Sequence, residues 1–398
     1  MHLVAPLLLV VTACTNGAAP QTTVDDTTTT VAPPPGTMAI TSGSGDVAIV
    51  DVSGIELLRR SAADGNRFSQ PVWLDAATIV TSVAAGTSHR VMAMDSVAGS
   101  TIWEAELPTP SFFMLPSPPG GRYATTSLRN NSSGTGLVAE LIDTFGDVTL
   151  LSEESPFYAS WSPDGLQLAI HASADHLDIR SSDGTVTVAR PTGIFQTPSW
   201  IDEGLVTMRS TAGGQTLSIW NGIEFRDIGL VDGPVRFVAS DRFIALQSVP
   251  SESGAVEAAV RTQTTPSLPA GRLVVIDLQS GSTTSITGEL TPMFQWDPGG
   301  TKLLFATYED ESSLDFGWHV WQGGSIADLG IHEIQEDWFR TVAPFFDQYA
   351  QAVSLWSGDG SRFAVPAVID GENVVVIQTV AGGAPVVIGD ATWVAFAP

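Results

Sequence analysis

The residues able to do chemistry are few and scattered, and their types set the first limits on function. Cys14 is the only cysteine in 398 residues, so no disulfide forms within the chain. His332-Glu333 lacks the second histidine that a zinc-protease helix needs. The chain has no Gly-x-Ser-x-Gly elbow, no Walker loop and no dinucleotide-binding glycine fingerprint after a strand. The acidic run Glu309-Asp310-Glu311, followed by Asp315, is a candidate for a cation, with a solvated loop as the competing reading. The pairs Asp164-Gly165, Asp183-Gly184 and Asp359-Gly360 have the spacing of tight turns and of no calcium loop. His89, His171 and His176 are too dispersed to share a metal, so no metal site and no cofactor are expected. The densest functional constellation is Trp338, Phe339, Arg340, Phe345, Phe346, Asp347, Gln348 and Tyr349. Rings and polar groups so close together make either a binding surface or a small plug core with Arg340 and Asp347 as an internal ion pair.

Cys14 has a second reading. Residues 3–13 are almost wholly apolar, a run too short to span a bilayer, which needs about 20 apolar residues. It has the character of the apolar core of a secretory signal. The residues Val11-Thr12-Ala13-Cys14 resemble the bacterial lipobox, in which the cysteine is lipidated and becomes the mature N-terminus. The resemblance implies a lipoprotein signal peptide over 1–13 and a diacylglycerol on Cys14, giving firm anchoring. The segment before the apolar run is only Met1-His2, without the usual basic residue, which leaves open a start site further upstream.

Residues 14–37 then form a Thr- and Pro-rich stretch, with Thr27–Thr30 and Pro33–Pro35, that has almost nothing to bury. Such a segment is expected to be a disordered tether. It resembles the tethers of high-GC Gram-positive lipoproteins. The rest, 38–398, is one folded domain in this reading. The composition suits a globular body, with 43% hydrophobic residues, 11 Trp and 38 Gly. The net charge of −26 repels phosphate backbones and anionic headgroups alike, which argues against nucleic-acid partners and in favour of a covalent anchor.

The elements that must position these residues appear when the turns are aligned. Tyr158-Ala-Ser-Trp161-Ser-Pro-Asp164-Gly165 followed by Leu166–Ile170 is an apolar strand, a tight turn and an alternating strand. The unit recurs around Trp296 and Trp356, and more weakly around Trp73, Leu115, Trp200 and Phe237. The aromatic before the turn is expected to pack between neighbouring sheets. Each copy is followed by two more strand-like runs, such as Leu177–Ser181 and Thr185–Ala189. Four short strands repeated every 40 to 60 residues or so are the signature of propeller blades.

The chain ends on Ala391–Pro398, which matches the start of a blade. Its folded part begins with three strand-like runs, Met38–Thr41, Asp46–Val52 and Ile55–Arg59. Pairing the last strand with these first ones closes the ring and leaves no free edge. The expected fold is therefore all-β: a single β-propeller of four-stranded blades, eight in number, or seven if the copy at Leu115 is not a blade.

The turns resemble the aromatic-Ser-Pro-Asp-Gly mark of WD40-like (PD40) repeats in TolB-type propellers. Only Trp161–Gly165 reproduces it in full, while Trp296-Asp-Pro-Gly-Gly300 and Trp356-Ser-Gly-Asp-Gly360 depart from it in part. The segment Trp338-Phe-Arg340, Pro344–Tyr349 and Trp356 also resembles one in uncharacterised bacterial TolB-like propellers. These likenesses imply a binding role, although the fold hosts many functions.

Topology sharpens the expectation. The three longest excursions, 250–271, 309–316 and 331–351, belong to connections that share one face of a propeller. Residues 331–351 are accordingly expected to cap the central channel, with Trp338, Arg340, Phe345, Phe346, Asp347, Gln348 and Tyr349 as a binding face. Two function classes follow. One is a lipid-anchored, extracytoplasmic, monomeric scaffold at the cell membrane that binds an envelope protein, peptide or glycan. The other is a propeller hydrolase or lyase with its site at the channel mouth. An enzyme of that kind needs carboxylates, histidines or a metal around the axis, and the strands predicted to line it carry no such cluster. A non-catalytic binding protein is the favoured expectation.

Overall fold

The repeated turn shows why each unit folds as a hairpin. In the computed structural model, Ser162 Oγ donates to Asp164 Oδ1 at 2.6 Å and accepts the Gln167 N–H at 2.9 Å. Asp164 in turn accepts the Leu166 N–H at 3.0 Å, and Gly165 supplies the positive φ of 65° that closes the turn. The same relay recurs with Ser357, Asp359 and Arg362. In the Trp296 copy, Asp297 occupies the serine position. Its longer side chain accepts the N–H groups of Thr301 and Lys302 directly, both at 2.7 Å. The departures from the repeat mark thus keep its hydrogen bonding.

The structure describes residues 34–62, 65–118, 122–131, 134–153, 157–172, 176–194, 196–248, 272–310 and 313–398. The expected signal peptide, Cys14 and most of the tether lie outside them. So does the excursion 250–271.

The strands form six four-stranded antiparallel sheets and one of seven strands. The larger sheet is two blades joined at a corner, where Glu333 and Ile334 pair with Val368 and Ala367. The innermost strand of its second blade has shrunk to a single bridge between Trp356 and Phe363. The result is eight blades, and the Leu115 copy is a genuine one, with Ser111–Pro116 pairing along Arg122–Asn131. Blade 1 joins Trp393–Phe396 to Met38–Thr41, Val47–Val50 and Glu56–Arg60, which is the expected closure. Blades 2 to 8 follow in chain order, their inner strands carrying Trp73, Leu115, Trp161, Trp200, Phe237, Trp296 and Trp356.

The aromatic marks do more than pack. The Trp161 indole N–H donates to the Leu115 carbonyl on blade 3, and Trp200 donates to Ser160 on blade 4. Trp296 reaches Val238, Trp356 reaches Gln295, and Trp73 reaches Ala395 across the closure. Each tryptophan therefore fills the wedge beside the preceding blade and satisfies one of its inner-strand carbonyls. Trp161 and Trp356 are completely buried.

The chain runs outward through each blade. Connections between first and second strands, and between third and fourth, therefore lie together on one face, termed here the mouth face. Connections between second and third strands, and from blade to blade, lie on the opposite, insertion face. Met38 pairs with Phe396, so the chain reaches blade 1 at Thr37 on the mouth face.

The segment expected as a long capping loop is largely regular. The outer strand of blade 7 continues to Ile334, helix α1 spans Glu336–Thr341, a 3-10 turn covers Ala343–Phe345 and helix α2 spans Phe346–Tyr349. Its aromatics obscured the short helical spacing, because Trp338, Phe346 and Tyr349 all turn inward.

Candidate functional site

The insertion descends into the channel rather than lying over it. Helix α2 packs against the inner strands of blades 4, 6 and 7. Phe346 lies 4.5 Å from the ring of Phe294 on blade 7, and the Arg236 guanidinium of blade 6 lies over its ring at 5.0 Å. Tyr349 meets Phe113 of blade 3 edge-on at 5.0 Å and Trp393 of blade 1 at 6.1 Å. Four glutamines finish the seal. Gln348 donates to the Ala159 carbonyl and accepts the Ala159 N–H, both at 2.9 Å. Gln351 makes the same pair with Trp161, both at 2.7 Å. A side-chain amide carries one donor and one acceptor in the geometry of a peptide group. The inner strand of blade 4 thus finds a substitute partner where no strand follows. Gln295 binds the Ala350 and Val353 carbonyls and the Leu355 N–H. Gln335 donates to the carbonyls of Ala367, Val374 and Ala391.

Of the seven residues expected as a binding face, the structure buries five. Trp338 and Phe346 are 2% exposed, Tyr349 5%, Gln348 6% and Asp347 8%. Arg340 and Phe345 remain exposed on the insertion face. The expected ion pair between Arg340 and Asp347 does not form. Arg340 sits one helical turn from Glu336 and pairs with it, a contact favoured by i,i+4 spacing. Asp347 instead faces Arg236, a residue that sequence reasoning passed over because its neighbours, Val235 and Phe237, mark it only as part of a strand.

Burial pushes the Asp347 carboxyl up to about 6, against the pull of the Arg236 guanidinium and the Gln348 N–H. Burial likewise lowers the affinity of Arg236 for its proton, although its hydrogen bonds to the Thr291 and Pro292 carbonyls and to Gln247 keep it well held. In the unfolded chain Asp347 returns to 3.8. Folding therefore takes up a proton between about pH 4 and 6, and the contribution of this group to stability falls as pH rises through that window. Asp347→Asn should abolish the fall. In urea unfolding at about pH 4 and pH 7, wild type should lose about 1–3 kcal/mol more than the variant between the two.

What the insertion leaves unfilled is the other end of the channel. A cavity of about 370 Å³ opens among the mouth-face turns Ser240–Arg242 and Asp297–Thr301. Its floor is Asp347, Gln348, Ala350 and Gln351, and its wall includes Ser160, Ser199 and Trp200. The volume lies in the range of small-ligand sites. A second hollow, lined by Trp73, Asp75, Pro116 and Pro398, shares Gln351 with the first, so both meet at the axis. Two of the expected site residues, Asp347 and Gln348, thus line a cavity, but from beneath it.

The remaining candidates stay apart. His171 is fully buried and its Nδ1 lies 3.0 Å from the Gln196 carbonyl, while His176 contacts Asp178 at 2.7 Å. His89 is in another blade. Among the described residues no three His, Cys, Asp or Glu side chains converge as metal ligands. Glu309 and Asp315 flank the loop of blade 7, joined by a backbone hydrogen bond of 3.1 Å.

No family model and no curated protein matches the chain. Solved structures do. The crystal structure of a eukaryotic initiation factor aligns over 92% of this chain and 99% of its own, with 10% identity and a TM-score of 0.57. Dihydro-heme d1 dehydrogenase NirN, in complex with DHE, aligns over 92% of this chain and 75% of its own, with 12% identity and a TM-score of 0.56. BamB from Moraxella catarrhalis aligns over 87% and 92%, with 12% identity and a TM-score of 0.49. At such identities the likeness to the first two is one of architecture alone, and it agrees with the sheet topology: the chain is a β-propeller.

Proposed function

We propose that this protein is a lipid-anchored, extracytoplasmic binding propeller that receives its ligand in the axial cavity on the mouth face. The observation that carries the proposal is the one-ended channel. Helices and glutamine pairs seal it from the insertion face, yet leave about 370 Å³ open at the other end. A plug serving stability alone would gain by filling that volume, because empty space forfeits contacts. A side-chain or small-molecule occupant fits the cavity, and an envelope protein, peptide or glycan can supply one. The apolar run before Cys14 and the Thr/Pro stretch after it support the anchor. The binding role needs no catalytic group, and in this reading the protein acts as a monomer held to the membrane by its lipid.

Ala350→Trp tests this reading, since Ala350 lies on the cavity floor and is only partly buried, so that a larger side chain there takes up cavity space. Cross-linking in intact cells, followed by capture of the protein, should yield a specific species with wild type and lose it with Ala350→Trp. In the same cells Cys14→Ser should leave the membrane fraction. Capture of the same species by wild type and Ala350→Trp alike would sink the cavity as the binding site.

A further inference from the structure

The cavity and its rim are unevenly charged. The turns between first and second strands carry Asp75, Asp164, Asp202, Asp241 and Asp359 on the mouth face, and Asp241 lines the cavity itself. Most of these carboxylates are fixed by backbone N–H groups or serine hydroxyls rather than by cations. Asp241 accepts the Asp202 N–H at 2.8 Å, Asp75 accepts the Ala77 N–H at 2.8 Å, and Asp164 and Asp359 are held by Ser162 and Ser357. Such bonds keep the charge in place, and Asp359 is drawn down to about 2 by them. The one arginine of the cavity wall, Arg242, is turned away. Its guanidinium reaches Asp277 at 3.0 Å and lies over the Phe243 ring at 4.8 Å. Of the carboxylates that line the cavity itself, Asp297 lies 3.9 Å from the Lys302 ammonium and Asp347 faces Arg236, which leaves Asp241 as the wall's anion without a cationic partner among the described residues.

Two further features point to an occupant rather than to a solvated acidic surface. Ser160 lines the cavity at 5% exposure, and its Oγ has no hydrogen-bond partner among the described residues. A buried hydroxyl without a partner costs free energy unless something satisfies it. Beside it, Trp200 is only half buried, and its indole N–H is already given to the Ser160 carbonyl, so the ring offers only its π surface.

We propose that the axial cavity binds a cationic nitrogen group, a guanidinium or ammonium, with Trp200 as its stacking wall, Asp241 as its counter-charge and Ser160 Oγ as an acceptor. This rests on the cavity being the binding site and adds the chemistry of what it takes. The group is carried either by a free amine or by a basic segment of a partner protein. The −26 net charge then has a further role, concentrating cations near the mouth.

The test uses the full chain in detergent micelles, fluorescent N-acetyl-hexa-arginine as probe, and hexa-glutamate as its counterpart. Fluorescence anisotropy should show salt-dependent binding of the first and none of the second. Asp202→Asn with Asp241→Asn should weaken binding about fivefold. Ala350→Trp, which leaves the charge intact, should weaken it about tenfold or more. Asp328→Asn with Glu333→Gln removes the same charge from the outer strand of blade 7 and should change nothing. Spermidine that displaces the probe assigns a free amine as source, and spermidine that fails to do so assigns a basic segment. Equal weakening by both acid pairs, or an unchanged affinity in Ala350→Trp, would overturn the proposal by showing diffuse adhesion. Absence of binding by hexa-arginine and spermidine would do so as well. The capture experiment stays independent of this outcome, since a specific species lost with Ala350→Trp keeps the cavity as a site for a different ligand.

Discussion

Removal of residues 391–398 should abolish cooperative folding, with no thermal transition by circular dichroism and rapid aggregation. The segment is short, but it is the inner strand of blade 1. Trp393, Val394, Ala395 and Phe396 are each 5% exposed or less. Burying a large apolar side chain contributes roughly 1.5–3 kcal/mol, so the two rings and the valine together approach the entire net stability of a domain, about 5–15 kcal/mol. The deletion also strips the Ala395 carbonyl from the Trp73 indole and the Phe396 N–H from the Ser354 carbonyl, opening the ring on both sides. Met38–Thr41 would then present an unpaired apolar edge, the ordinary template for aggregation. A permutant distinguishes loss of closure from loss of a tail. Ala397 already bonds to Thr37, so the ends can be joined there and the chain reopened in the exposed turn at Gly382-Gly383. That permutant should fold cooperatively. A truncated chain that melts like wild type would show that the ring does not depend on its closing strand.

The glutamines of the insertion should rank by burial rather than by number of bonds. Gln335→Leu keeps the volume but leaves the carbonyls of Ala367, Val374 and Ala391 without their donor, at 3% exposure. Orphaned buried polar groups cost about 1–3 kcal/mol each, and partial relaxation brings the expected total to about 2–4 kcal/mol by urea unfolding. Gln348→Leu orphans one N–H and one carbonyl of Ala159 and should cost about 1–3 kcal/mol. Gln351 makes an equally good pair with Trp161, yet it is exposed at the mouth, where water replaces it. Gln351→Leu should therefore cost about 1 kcal/mol or less. A reversed order would mean that the insertion is held by its aromatics alone and that the amide pairs are incidental.

These contrasts indicate which features of the protein the amino-acid order reveals. The blade turns were legible because Ser162, Asp164 and Gly165 perform local work that turn chemistry makes recognisable. Closure was legible too, because Trp393 and Phe396 repeat the pattern of an inner strand and Met38–Thr41, Val47–Val50 and Glu56–Arg60 supply the three strands that such a blade lacks. The helices of 336–349 were not, since two short turns among buried rings lack the length that periodicity needs. The roles of Gln335, Gln348 and Gln351 depend on carbonyls more than 30 to almost 200 residues away, to which no spacing points. Asp347 stood out in the sequence for its neighbours, but its true partner is Arg236, and it lies at the floor of a cavity that opens away from the expected face. The direction of that opening follows from which strand is innermost, a property of the assembled ring.

The chain reaches the ring at Thr37, on the face where the cavity opens. A lipid on Cys14, as proposed, leaves a leader that spans at most about 80 Å when fully drawn out. Under that proposal the leader's point of attachment to the ring and the cavity's opening share one face. Partners held on the same membrane meet the cavity at an effective concentration set by leader length, in the millimolar range for short flexible connections. Occupants with weak intrinsic affinity would be retained there, while the same occupants free in solution would escape. The leader's length is thus a dial on selectivity, turned without altering a single contact in the ring.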